Sequence, residues 1–374
     1  MSSDPQIRQE MIALLGRIVG PGPLPDDLRR HAMQLFATLL EDPSARATQG
    51  NGHPSGSLAS GLTSGAGGVA LAAPAVGNRR LVYVHGICQH GPGFSDSWWN
   101  SLRDFVPTAF GEGSLGSNRL EVIWSPIVNQ VAAQRALMAA APTPAGLPSE
   151  ERQRRETAEE IKETLRDRAD QQVLNATPPA DPTNPQAALP LATPAPQAGL
   201  LNIPLANCID DFSVYLINSA TRQEILDCFT NVVRPLLQAG NELDIIGHSW
   251  GTVVAYEGLR QLEDEGFSTP LVRNFFTLGS ALSIGTVKRH LRPANRDGRK
   301  PASVKRWINI DARGDVVGGP LQGRPYAVDL DFVNLAPVGC NTFGPLVTPT
   351  CAHSSYFVPT NLQVNRDILA FHIN

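Results

Sequence analysis

The stretch Leu243-Asp244-Ile245-Ile246-Gly247-His248-Ser249-Trp250-Gly251 runs from an apolar segment into a serine held between two glycines. A serine hydroxyl is a weak nucleophile until a base takes its proton and a tight turn presents it free of steric cover. Small residues two before and two after the serine permit a sharp strand-to-helix turn that bulkier ones would block. Beyond it Val253, Val254, Tyr256 and Leu259 are apolar at helical spacing, so the pattern predicts a buried strand, a strained turn and a helix. In a chain with 33 glycines the bare G-x-S-x-G spacing is weak, and its alternative reading is a turn whose serine caps a helix. Its single occurrence, between a strand and a helix, favours the presented nucleophile.

Outward from this turn, further apolar strands are expected at Arg80 to Gly86, Leu120 to Trp124, Asn274 to Leu278 and Val304 to Ile310. Helical patterns fall at Trp98 to Phe110, Gln223 to Leu237, Gly251 to Leu262 and Asn361 to Phe371. Such alternation implies a mostly parallel sheet covered on both faces, a doubly wound α/β fold over residues 79–374. An insertion over residues 129–204 interrupts it with an Ala-rich helix, a charged stretch Ser149 to Gln172 and a Pro/Ala-rich segment Pro178 to Pro204. The charged stretch, with its i,i+4 opposite-charge pairs, reads as a solvated helix, and the whole insertion is placed to act as a lid or cap. Residues 1–46 read as a helical N-terminal extension of two short amphipathic helices carrying Ile7, Met11, Leu14, Leu15 and Ile18, then Leu28, Met33, Phe36 and Leu39. Two such helices cannot build a core, so they are expected to dock on the main body or on a second subunit of a homo-oligomer. Residues 47–78 have the Gly/Ser/Ala-rich composition of a linker.

A net charge of −4 and a pI near 6.1 provide no general attraction to nucleic acid, so no nucleic-acid partner is expected. No segment is long and apolar enough to cross a bilayer, and the start Met1-Ser2-Ser3-Asp4-Pro5 lacks a basic n-region and apolar h-region, which points to the cytoplasm and leaves secretion by a route without a cleaved signal open. Cys88, Cys208, Cys228, Cys340 and Cys351 are too few and scattered for a disulfide scaffold or a C-x-x-C metal site. Two readings stand: five reduced thiols, or a Cys340 to Cys351 bridge clamping the loop before His353. No H-E-x-x-H, Walker loop or dinucleotide fingerprint occurs, so a chemistry without metal or organic cofactor is expected.

His85-Gly86, Gly247-His248-Ser249-Trp250-Gly251, Gly314-Asp315-Val316-Val317 and Ala352-His353 follow one another in the order of landmarks seen in the α/β-hydrolase superfamily. Within it the chain resembles bacterial lipase/esterase-like hydrolases, with Asp210-Asp211 and Tyr215-Leu216 ahead of the turn and Thr277-Leu278-Gly279-Ser280 after it. The resemblance covers residues 80–374 apart from the insertion. It implies a serine hydrolase that cleaves small-molecule or lipid carboxylic esters through an acyl-enzyme. Thioester or amide hydrolysis and acyl transfer use the same residues and stay open, as does a non-catalytic binding protein that keeps the fold.

In that fold the chain order is serine, acid, histidine. Ser249 is then the nucleophile, and His290, His353 and His372 follow it. His290 stands in a basic run and His372 near the end of the chain, whereas His353 is expected in the loop before the last helix, where the fold places its base. The acid belongs after the strand Trp307 to Ile310, where both Asp311 and Asp315 stand; Asp315 matches the resemblance better. The resemblance further assigns the oxyanion-binding backbone N–H groups to Ile87 and Trp250. His85 is expected to hold the loop after the first strand, His248 to pack within the turn, and Cys88 to Phe94 with Trp98 and Trp99 to border the pocket, at least one of the two tryptophans belonging to the core.

Overall fold

Alternating side chains decide the layering. Val82, Val84, Ile245 and Phe275 pack in one hydrophobic cluster, while their chain neighbours Leu81, Tyr83, Ile246 and Phe276 pack in another. Strands buried on both faces belong inside a parallel sheet. The computed structural model describes residues 79–107, 109–110, 118–131, 149–176, 205–292, 297–323, 325–335, 337–338, 340–343, 346–347 and 349–374. The expected N-terminal helices and linker, and the Pro/Ala-rich part of the insertion with most of its Ala-rich part, lie outside the described residues.

Six strands form one sheet: β1 (Arg79–Val84), β2 (Arg119–Val122), β3 (Glu242–His248), β4 (Val272–Leu278), β5 (Val304–Ala312) and β6 (Leu330–Asn334). Their order is β2-β1-β3-β4-β5-β6, and every pair is parallel. The pairings Val84 with Gly247, Gly247 with Thr277 and Leu278 with Ile310 bring the carboxyl ends of four strands level. Helices among the described residues include α1 (Asp96–Leu102), α2 (Ser149–Ala176), α3 (Leu205–Ile217), α4 (Ser219–Gln238), α5 (Gly251–Asp264), α6 (Gly285–His290), α7 (Pro349–Ser354) and α8 (Phe371–Ile373), the last continuing a π-helical segment, Gln363–Ala370. Helices α2 to α5 cover one face through Ala158, Phe212, Phe229 and Val253. Trp99 and Leu102 of α1, with Val364, Ile368 and Leu369, cover the other.

Three elements depart from the sequence expectation. Helix α1 stops at Leu102 and tightens into a 3-10 turn, Arg103–Phe105, because Pro107 disfavours helical backbone in the residue before it. The edge strand β6 has no clear sequence signal, since LDFVN leaves Val333 exposed and carries no continuous buried run. Helix α2 is solvated on one side only: Ala158, Ile161, Leu165 and Ala169 are buried, while Arg154 and Arg155 pair with Glu151, and Lys162 with Glu159 and Asp210.

The cysteines also require a correction. Cys88 is bonded to Cys208 and Cys340 to Cys351, leaving Cys228 free, so the reading of five reduced thiols does not hold. The first bridge joins positions 120 residues apart, which no local spacing reveals. Among the described residues no helix is long and apolar enough to cross a membrane.

Candidate active site

The chain leaves β1 toward β2 on one side and leaves the adjacent β3 toward β4 on the other, so the connections from these two neighbouring strands run in opposite directions. A crevice opens at the carboxyl ends of two such strands, and in open α/β sheets it is where ligands bind. Gly86 and Ile87 follow β1 there, and Ser249 follows β3.

Ser249 has φ 56°, a left-handed backbone that a non-glycine residue adopts at a cost of roughly 1–2 kcal/mol. The turn is held by the Ser249 N–H donating to the Leu278 carbonyl (2.9 Å), and by the Thr252 N–H (3.2 Å) and hydroxyl (2.6 Å) donating to the Ser249 carbonyl. Glycine is required beside it by close approach. A Cβ on Gly251 would stand 2.1 Å from the His85 carbonyl oxygen, and one on Gly86 would stand 2.8 Å from the Ser249 Cβ. Gly86 and the amino end of α5, whose N-cap is Trp250, therefore lie beside the serine, and a helix amino end favours negative charge.

The Ser249 Oγ lies 2.9 Å from Nε2 of His353. On the other side of the ring, Nδ1 lies 2.9 Å from Oδ2 and 3.0 Å from Oδ1 of Asp315. A carboxylate there fixes the tautomer: Nδ1–H donates to Asp315, and Nε2 is left to accept from the serine hydroxyl. All three residues are buried, Ser249 being only 1% exposed. His353 sits on the short helix α7 rather than in the expected loop. Burial alone would push the Asp315 carboxyl up. The facing imidazole, the Tyr356 hydroxyl (2.7 Å to Oδ2) and the Gly318 N–H (3.0 Å to Oδ1) outweigh it and hold the group down at about 2.

Asp311, at the end of β5, does not hydrogen-bond the imidazole. Its oxygens accept from the Gly319 N–H (2.9 Å) and the Asn309 amide (3.0 Å), and burial, then the charges of Asp315 and Asp331, raise its pKa well above the usual carboxylate range. His290 bonds the Thr286 carbonyl within its own helix, and His372 neighbours Arg306 and Phe332; neither meets Ser249.

His85 holds the loop after β1. Its Nδ1 donates to the Gly86 carbonyl (2.7 Å), its Nε2 accepts from the Trp124 N–H (3.2 Å), and its ring stacks on Trp124. Burial and the neighbouring His90 lower its pKa to about 3, so it is a neutral ring. His248 bonds the His353 carbonyl (2.9 Å) and packs against Trp98, Tyr356 and Phe357; burial and then His353 lower it to about 3. Of the tryptophan pair, Trp99 is core, whereas Trp98 is half-buried and stacks on Phe357 beside His248.

Two contacts escaped sequence reasoning. Tyr356, one helical turn past His353, was recoverable from that spacing. The Cys88 to Cys208 bridge, which anchors the residue after Ile87 to α3, was not. Among the described residues no group of three or more His, Cys, Asp or Glu is arranged to hold a metal ion. The chain matches no protein-family model, no curated protein and no solved structure.

Proposed function

We propose that this chain is a serine hydrolase of the α/β-hydrolase type that cleaves carboxylic esters of small molecules or lipids through an acyl-enzyme. The observation that carries the proposal is the unbroken hydrogen-bonded path from Ser249 Oγ through His353 to Asp315, built on a strained serine at the sheet's switch point. As Ser249 Oγ attacks the ester carbonyl, His353 Nε2 takes its proton and Asp315 stabilises the imidazolium. The oxyanion is met by the N–H groups of Ile87 and Trp250. Collapse breaks the bond to the alcohol, which leaves with the proton from His353; water then repeats the sequence and frees the acid.

Helix α2 is packed into the core, which supports a fixed buttress in that part of the insertion rather than a moving lid. Two disulfides support an oxidising compartment over the cytoplasm expected from the sequence. The test is hydrolysis of p-nitrophenyl esters of graded acyl length. Wild type turns them over, and Ser249→Ala abolishes turnover while unfolding cooperatively; a variant that retains the wild-type rate overturns the reading.

A further inference from the structure

Arg168, on the charged helix α2, reaches across to the loop that carries Asp315. Its Nη1 lies 3.1 Å from each of the carbonyl oxygens of Val316, Val317 and Gly318 and 3.0 Å from the Ser283 hydroxyl. Its Nη2 donates to the Ser283 carbonyl at 2.9 Å. One turn further along, the Gln172 amide donates to the Asp315 carbonyl at 3.4 Å.

The same three peptide groups face the buried acids with their other ends. The peptide whose carbonyl belongs to Val316 donates its N–H, that of Val317, to Asp315 Oδ1 at 2.8 Å. The next donates the Gly318 N–H to the same oxygen at 3.0 Å, and the third donates the Gly319 N–H to Asp311 Oδ1 at 2.9 Å. Three successive peptides thus stand between one guanidinium and two carboxyl groups, each accepting from the cation side and donating to the acid side. A peptide whose oxygen binds a cation is a stronger N–H donor, because hydrogen bonds in a chain polarise one another in a low-dielectric interior. Only glycine fits at 318, where a Cβ would stand 2.8 Å from Asp311 Oδ1 and 3.0 Å from Asp315 Oδ2.

We infer that Arg168 is a positioning residue of the active site: through these peptides its guanidinium orders the loop and holds the Asp315 carboxylate in line with His353, making helix α2 part of the machinery. The inference rests on the proposed hydrolase reading for its kinetic consequence. Lysine carries the charge but not the planar fork that spans both the Val316 to Gly318 carbonyls and Ser283.

The test compares wild type with Arg168→Ala, Arg168→Lys and Ser249→Ala on p-nitrophenyl acetate, together with the far-downfield proton resonance of the His353–Asp315 hydrogen bond. Loosening a catalytic group's placement costs on the order of 10- to 100-fold in rate. Arg168→Ala is therefore expected to lose kcat by about that factor with KM within about 3-fold. Its downfield resonance weakens or vanishes, and added guanidinium at sub-denaturing concentration recovers part of the rate. Arg168→Lys stays slow. A folded Arg168→Ala or Arg168→Lys with wild-type kcat and an unchanged resonance overturns the inference, and where the alanine variant does not fold the lysine variant decides. If wild type and Ser249→Ala are equally inert toward esters, hydrolysis is refuted on its own, and the resonance, which needs no turnover, still decides the role of Arg168.

Discussion

Asp315 shows how one buried carboxyl is kept ionised against the cost of burial, by an imidazole, a tyrosine hydroxyl and backbone N–H groups together. Its pKa of about 2 lies below the ordinary unfolded value near 4, so ionisation favours the fold. That contribution is present above about pH 4 and is lost as the pH falls through about 2; its size is on the order of 2 kcal/mol. Asp315→Asn is expected to remove this part of the acid sensitivity, seen as a flatter fall of unfolding free energy between those pH values than in wild type. It should also lower kcat by up to about 10⁴-fold, since the neutral amide no longer fixes the productive tautomer. Sequence alone left Asp311 and Asp315 both open because each stands at or just beyond the end of β5. They separate only in three dimensions: Asp311 is still on the strand and bonds Asn309 and Gly319, whereas Asp315 lies past the turn at Gly314 and reaches His353.

Among the elements, the strands with continuous apolar runs were legible, and so was the turn after β3, because its glycines answer a local steric demand. Strand β6 and the end of α1 were not, since one depends on pairing with β5 and the other on a single proline. The disulfides were least legible. Cys88 follows Ile87, the proposed oxyanion donor, and its bond to Cys208 ties that loop to α3; Cys351 stands two residues before His353 on α7. Closing a long loop restricts the unfolded chain, typically by about 2–4 kcal/mol. A Cys88→Ser/Cys208→Ser double variant is expected to lose about that much stability in urea unfolding and to turn over esters more slowly. Unchanged stability and rate would show that the bridge restrains neither the fold nor the loop.

Across the whole molecule, one topological feature organises the rest. The sheet reverses its connection at β1 and β3, and the two segments that leave its carboxyl edge there carry Gly86-Ile87 and Ser249. The next strands along bring Gly279, Asp315 and, through α7, His353 to the same edge. The insertion adds Arg168 from outside the sheet, on a charge-rich helix that is packed into the core through Ala158, Ile161, Leu165 and Ala169. Nothing in the spacing of that helix signalled the role proposed for Arg168, because its partners, the Val316 to Gly318 carbonyls and Ser283, lie far along the chain. The most direct measurement is intact-protein mass spectrometry of wild type and Ser249→Ala, acid-quenched during turnover of a slowly deacylating p-nitrophenyl ester, with peptide mapping of the adduct. One acyl group on Ser249 in wild type and none in the variant is the expected result; no adduct in wild type during measurable turnover, or an equal adduct on the variant, would contradict an acyl-enzyme at this serine.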